Sequence, residues 1–452
     1  MSNFILKTLE TRELKLNTIK LRGFYGGKLR KGSGDGFPQL PGDVTRWHFG
    51  GLTNEMMAAM DDPRIEDADH KGRFLSFKNF AWKEGSGISD VYPGALVFDG
   101  VDDWAGCDNL PLLPKEKGYS IIALRNWITR YDATQYKRPL ISNLNTNDEG
   151  AFLIEYRKDE NVNDVTGSYN SFTDVYIDDN NPITWQTSSS YNGQIIKKGT
   201  SKSTNKLCIC KTYFGQLSNY ANAAIWEIVI LDHDATEEEL TKIKDYFVKT
   251  YPWLFPDQAW TVVGKTNEDE DRATIANITG NGNDLVCLNL GFIEGSGYNE
   301  EGEYAGYLVT DGVDDKITSS TFEMGNDWTV IGDWELINTG KNNNAGIVKF
   351  DSIVIYNYNP ILINIKNGRN NLIPDQNTVN AICSDGRIYS KDWKESIYNE
   401  ETESTSKNLL TIGYSGNSYT KIAFKNLAIY PTVLSKEDCI KAYNYLQTLK
   451  AK

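Results

Sequence analysis

One eight-residue phrase occurs twice in this chain of 452 residues. Leu96-Val97-Phe98-Asp99-Gly100-Val101-Asp102-Asp103 returns as Leu308-Val309-Thr310-Asp311-Gly312-Val313-Asp314-Asp315. The echo extends on both sides and keeps its order. Trp47 leads into Gly51-x-Thr53-Asn54-Glu55, as Trp260 leads into Gly264-x-Thr266-Asn267-Glu268. Glu84-Gly85-Ser86-Gly87 is answered by Glu294-Gly295-Ser296-Gly297. The chain is therefore two copies of one domain of about 200 residues, far longer than a solenoid unit of about 20–50 residues. Three segments follow: 1–45, a first repeat over 46–256 and a second over 257–452.

Each repeat carries many short apolar runs separated by turn chemistry. Tyr119-Ser120-Ile121-Ile122-Ala123-Leu124 and Trp328-Thr329-Val330-Ile331-Gly332-Asp333-Trp334 have the pattern of buried strands. Asp-Gly at 99–100 and 311–312 is a strong tight-turn signal, and Asn192-Gly193 and Asp385-Gly386 predict hairpin turns later in each copy. Each copy closes with a long apolar strand and then a helix. Thr236-Glu237-Glu238-Glu239 and Ser435-Lys436-Glu437-Asp438 place a hydroxyl at the N-cap and a carboxylate three residues on. Leu240, Ile243 and Phe247 then share one face, as do Cys439, Tyr443 and Leu446. The expected fold class is all-β: two tandem antiparallel β-sandwiches, each closed by a short C-terminal helix, behind an extended N-terminal arm.

The formal charge of −14 disfavours nucleic acid and anionic membrane as partners. Segment 1–45 has the opposite character. Lys7, Arg12, Lys15, Lys20, Arg22, Lys28, Arg30 and Lys31 face only Glu10 and Glu13 within its first 31 residues. Lys15, Lys20, Arg22 and Arg30, set among Leu and Ile, suit docking on an acidic protein better than binding to phosphates. The opening residues lack the apolar core of a signal peptide, and no run reaches the length of a membrane helix. The six cysteines fall at unmatched positions in the two repeats, so they are expected as free, buried thiols. Cys208-x-Cys210 would need two further ligands to hold a metal, and none is apparent.

Taken together, the Asp-Gly-x-Asp-Asp phrase, the mid-domain Asn-Gly turn and the closing strand-helix unit resemble the concanavalin A-like lectin/glucanase superfamily, in particular its laminin-G-like jelly-roll modules. The resemblance covers nearly everything outside segment 1–45. It implies two stacked antiparallel sheets, an Asp-Gly hairpin, and carbohydrate as the commonest ligand. Such modules occur in adhesins, glycosidase accessory domains and tailed-phage virion proteins. A lectin-like chain without an export signal leaves its cell by lysis, so the expectation is a non-enzymatic structural protein of a tailed-phage particle. It would attach through residues 1–45 to other virion proteins, meet host-surface glycans, and offer edge strands for homo-oligomer contacts. Alternatives are a carbohydrate-active enzyme or its accessory module, and a purely architectural protein without sugar affinity.

The glucanase pattern Glu-x-Asp-x-x-Glu is absent, and the three histidines do not recur between copies, so no catalytic residues are assigned. For a sugar, the aromatics to test are Trp185 and Tyr191 in the first copy and Tyr389 and Trp393 in the second. No cofactor is expected. Asp99 and Asp102, with Asp103, and Asp311 and Asp314, with Asp315, also offer oxygens to Ca²⁺, although an Asp-Gly turn explains the phrase by itself.

Overall fold

Ser120–Thr129 and Asn222–Leu231 are buried almost from end to end. A strand buried on both faces belongs at the centre of a covered sheet. The two pair antiparallel there, and Leu96–Asp99 and Val44–His48 add to Asn222–Leu231. These positions come from a computed structural model that describes residues 36–113, 118–129, 137–145, 152–157, 170–173, 182–187, 204–215, 219–337, 346–350, 353–356, 362–365, 369–372, 379–397, 408–415 and 418–451. The described chain is mostly strand, in antiparallel sheets, with helices Asn54–Ala58, Glu237–Thr250 and Lys436–Leu446 and a 3₁₀ turn Pro252–Leu254.

The chain divides into two compact units, the first drawn from residues up to 249 and the second mainly from Thr250–Lys452. In the first unit, one sheet runs Ile183–Thr187, Ser120–Thr129, Asn222–Leu231, Leu96–Asp99, Gly87–Ile88. Its other sheet runs Asn170–Thr173, Phe152–Arg157, Lys137–Ser142, Leu207–Ile209, Trp104–Cys107, Phe74–Lys78, Arg64–Glu66. Trp47, Phe98, Ile121, Ile225 and Ile228 from the former meet Leu75, Phe77, Ala105, Ile141 and Ile209 from the latter in one core. Two sheets sharing a single apolar layer is the arrangement that alternating strands enforce.

The second unit follows the same order. Gly297–Asn299, Tyr307–Val309, Ile422–Tyr430, Thr329–Leu336 and Val379–Cys383 occupy the places of the five strands of the first unit's opening sheet, and Gln258–Thr261 joins Ile422–Tyr430 as Val44–His48 joins Asn222–Leu231. One irregularity coincides as well. The ladder of the central strand skips Trp226 in one unit and Lys425 in the other, a one-residue bulge at the equivalent place. The units differ toward the sheet ends: Asn170–Thr173 lies parallel to Phe152–Arg157, whereas Leu362–Ile365 lies antiparallel to Ile353–Tyr356, and the second unit adds Arg369–Leu372, Arg387–Ser390 and Glu395–Ile397.

Both closing helices start as their sequences predict. Thr236 Oγ1 accepts from the Glu239 amide (3.3 Å) while Glu239 Oε2 accepts from the Thr236 amide (2.8 Å). Ser435 Oγ accepts from the Asp438 amide at 3.1 Å. Ile243 and Phe247, and Cys439 and Leu446, are buried, whereas Leu240 and Tyr443 are partly so. All six cysteines are buried, and none is in a disulfide. Cys210 lies past the end of Leu207–Ile209 with φ of 57°, and of the Cys-x-Cys pair only Cys210 joins the shared core. The Asp385-Gly386 turn links Val379–Cys383 to Arg387–Ser390 as a hairpin; Asn192-Gly193 lies outside the described residues.

Arg46 and Glu227 alternate with the core residues Trp47 and Ile228, so they face the opposite side of the sheet. There they form a buried ion pair at 2.9 Å, and Tyr246 of the closing helix bonds to both. The equivalent positions in the second unit are Ala259 and Asn426, so both charges are missing together. Losing one partner alone leaves a buried charge uncompensated. Glu227→Ala should therefore cost the first unit about 3–5 kcal/mol in a urea unfolding curve, with the second unit's transition unmoved.

Candidate functional site

The phrase that occurs twice is a corner between sheets, not the expected hairpin. Leu96–Asp99 and Trp104–Cys107 belong to different sheets of the first unit, as Tyr307–Val309 and Lys316–Phe322 do in the second. Asp-Gly reports a local backbone bend, and it cannot tell whether the next strand pairs or crosses to the facing layer. A chain that crosses leaves amides without ladder partners. The first aspartate supplies them. Asp99 Oδ1 accepts from the amides of Val101, Asp102 and Asp103 at 2.7, 3.2 and 3.3 Å. Asp311 Oδ1 does the same for Val313, Asp314 and Asp315 at 2.7, 3.3 and 3.4 Å. Gly100 and Gly312 sit at φ of 77° and 79°, where a Cβ would also press on Asn222 or Lys421.

The other shared phrases converge on this corner. Asp103 Oδ2 accepts from the Asp99 amide at 3.1 Å, and Asp315 Oδ2 from the Asp311 amide at 2.8 Å. The serine of Glu-Gly-Ser-Gly bonds to the same carboxylate: Ser296 Oγ donates to Asp315 Oδ2 at 2.7 Å, and Ser86 bonds to Asp103. Asn79 and Asn289 donate to the carbonyls of Asp102 and Asp314, each at 3.0 Å. The Asn of Gly-x-Thr-Asn-Glu then brackets the strand after the serine. Asn54 exchanges two bonds of 2.8 Å with Ile88, and Asn267 exchanges bonds of 2.7 and 2.8 Å with Tyr298. A Cβ at Gly87 or Gly297 would collide with those Asn side-chain oxygens, which explains the glycine in both copies.

Electrostatics single out the last aspartate of each corner. Asp103 and Asp315 are fully buried, and Oδ1 of each has no hydrogen-bond partner. Three carboxylates lie together in each unit, Asp99, Asp102, Asp103 and Asp311, Asp314, Asp315, with one oxygen from each within 4.8 Å of the others. Burial first, then the Asp99 and Asp102 charges, push the Asp103 carboxyl up to about 6 despite its bonds to Ser86 and the Asp99 amide. Asp315 is raised for the same reasons.

A carboxyl raised on folding binds its proton more tightly in the folded state. Its contribution is full below about pH 4 and is lost as pH rises through about 6. In chelator-treated buffer, Asp103→Asn should gain on wild type by about 2–3 kcal/mol between those limits, then run level with it. Chemical denaturation at a series of pH values checks this, and a pH-independent difference would contradict it.

The other sequence-assigned residues do not gather at one place. Tyr389 is in the core with no exposed surface, and its hydroxyl accepts from Arg387 Nη1 at 3.1 Å. A ring without a free face cannot stack on a sugar, so Tyr389 is withdrawn as a ligand residue. Trp393 is partly exposed at φ of 58°, with its ring 5.7 Å from that of Tyr443 and 6.3 Å from that of Tyr389. Trp185 lies opposite Ile122 on the strand Ile183–Thr187, and only its backbone is described. Tyr191 and the docking residues Lys15, Lys20, Arg22 and Arg30 fall outside the described residues. Asn79 and Asn289 are corner residues that no motif announces. Their one signal in the sequence is that they keep the same spacing from Ser86 and Ser296.

Histidine chemistry is committed elsewhere. His233 holds Asp232 through Nδ1 (3.2 Å) and Glu239 through Nε2 (3.0 Å), which clasps the start of the closing helix. His70 Nδ1 faces Glu66 at 3.1 Å. Glu268-Asp269-Glu270-Asp271 is largely exposed, with Asp269 bonded to Thr266 and Asp271 paired with Lys265.

No family model matches the sequence, and no curated protein matches it. Among solved structures, a Trypanosoma rangeli sialidase in complex with sialic acid aligns over 50% of this chain and 41% of its own, at 9% identity and a TM-score of 0.32. Another Trypanosoma rangeli sialidase structure aligns over 85% and 68%, at 9% identity and the same TM-score of 0.32. The receptor-binding domain of botulinum neurotoxin type G aligns over 42% and 50%, at 13% identity and 0.26. The chain thus spans about two-fifths of the first sialidase's length. Likenesses this weak carry no functional argument.

Proposed function

We propose that this chain is a non-catalytic structural protein of a tailed-phage particle, made of two laminin-G-like jelly-roll modules and a basic segment that docks on an acidic virion protein. One observation carries the non-catalytic part. The polar constellation that recurs in both units commits its carboxylates, serines and asparagines to hydrogen bonds that hold a chain corner together. The jelly-roll assignment is supported by the matching strand order of the two units and by their shared two-sheet cores. The virion setting rests on the family resemblance, and the docking role on the eight cations among the first 31 residues.

Host glycans are the ligand class that the resemblance implies, with Trp185 and Trp393 as the remaining aromatic candidates. The burial of Tyr389 favours a second reading, architecture without sugar affinity. Particles purified from a lysate should carry the chain in fixed stoichiometry, and a chain lacking residues 1–45 should stay in the supernatant. Recovery of the full chain only as a free protein contradicts the proposal, as does release of reducing ends from polysaccharide. On a glycan array, binding lost in Trp393→Ala supports the lectin role, and silence supports architecture.

A further inference from the structure

We propose that Cys383 and Cys439 form a redox latch in the second unit, a pair of thiols that a small-molecule disulfide oxidises to a cystine tying the closing helix to its sheet. Cys383 ends the strand Val379–Cys383, and Cys439 lies in the first turn of Lys436–Leu446. The two thiols are hydrogen-bonded to each other, and both are fully buried. Their surroundings hold them together. Thr329 pairs with Cys383 across the ladder, and its Oγ1 accepts from the Leu434 amide at 2.9 Å. Arg387 Nη2 donates to the Leu434 carbonyl at 3.0 Å. The residue before the N-cap Ser435 is thus fixed from the strand side, and a small side-chain movement brings sulfurs already in contact to bonding distance.

The first unit lacks both thiols. Ser120 accepts from the Ala235 amide at 2.7 Å as Thr329 accepts from that of Leu434, so strand and helix entry correspond. At the places of Cys383 and Cys439 stand Thr187 and Leu240. Either cysteine alone would serve as core filler; only a dithiol needs both. The two also differ from the remaining thiols. Burial pushes Cys107 up to about 11 and Cys287 up to about 12, and it raises Cys208 and Cys210 as well. Cys383 alone is held below the ordinary thiol value. The hydrogen bond from Cys439 does most of this, against burial, and Thr329 and the Arg387 charge add to it. Cys439 is raised by the same bond.

Cys383 is therefore the attacking sulfur. Its thiolate displaces one thiolate from the disulfide and forms a mixed disulfide; Cys439 then loses its proton, attacks the Cys383 sulfur and expels the second thiolate. Two cysteine thiols and one disulfide become one cystine and two small thiols. Access comes through fraying of the helix start, where Ser435, Lys436 and Glu437 are exposed.

The test equilibrates the full chain in excess oxidised over reduced glutathione, with urea at the foot of the second unit's transition so that the helix start opens. Two of the six thiols should disappear, and a tryptic map should show the Cys383 and Cys439 peptides joined. The second unit's unfolding midpoint should rise by about 10 °C, as closing a loop of about 55 residues implies. Excess dithiothreitol should restore both thiols and the lower midpoint. In Cys439→Ser the reaction should stop with one glutathione on Cys383; the wild-type map decides by itself if that variant folds poorly. Six thiols persisting in wild type overturn the proposal, as does a cross-link to any other cysteine or a glutathione left on Cys383. None of these outcomes depends on whether the chain belongs to a virion or binds a glycan.

Discussion

A chain that passes from one β-sheet to the sheet facing it must turn away from its ladder partners, and the amides it strands have to be satisfied by something else. In both units a single carboxylate oxygen takes three of them, and a second carboxylate four residues on closes the loop back to the first. Where such a group is shut off from water, leaving it unpaired would cost about 1–3 kcal/mol. The corner in turn fixes where the strands on either side enter their layers, so the cores around Trp47 and Trp260 depend on it. The serine and asparagine phrases extend this network to neighbouring segments.

This explains which residues the two copies share and which they do not. Groups in the corner network depend on one another, so a change in one strands the rest. Elsewhere the copies have drifted by changes that compensate locally. Where one unit has the buried Arg46–Glu227 pair, the other has Ala259 with Asn426 and no charge, although Asn426 is buried without a side-chain partner. Toward the end of one sheet the pairing direction differs between the units, and among the described residues the second unit adds Arg369–Leu372 beyond it.

Much of this was legible in the amino-acid order. The duplication, the buried central strands, both helix N-caps and the buried thiols follow from local pattern. The destination of the Asp-Gly phrase did not follow: turn chemistry encodes a bend over a few residues, whereas sheet membership is decided by which distant apolar surfaces meet. Tyr389 misleads for a related reason. A tyrosine among polar neighbours resembles a surface ring, but the Arg387 guanidinium satisfies its hydroxyl and the ring can enter the core. Asp103 was visible as one acid among three, and its burial appears only when the facing sheet covers it.

Amide hydrogen exchange on the full chain tests the central claim most directly. The amides of Asp99 and Ile88, and of Asp311 and Tyr298, receive side-chain acceptors in the corner network. They should exchange as slowly as the neighbouring strand amides, on the order of a thousandfold below unprotected rates, and to a similar degree in both units. Exchange at the unprotected rate in either copy would contradict the corner as the element on which both units are built.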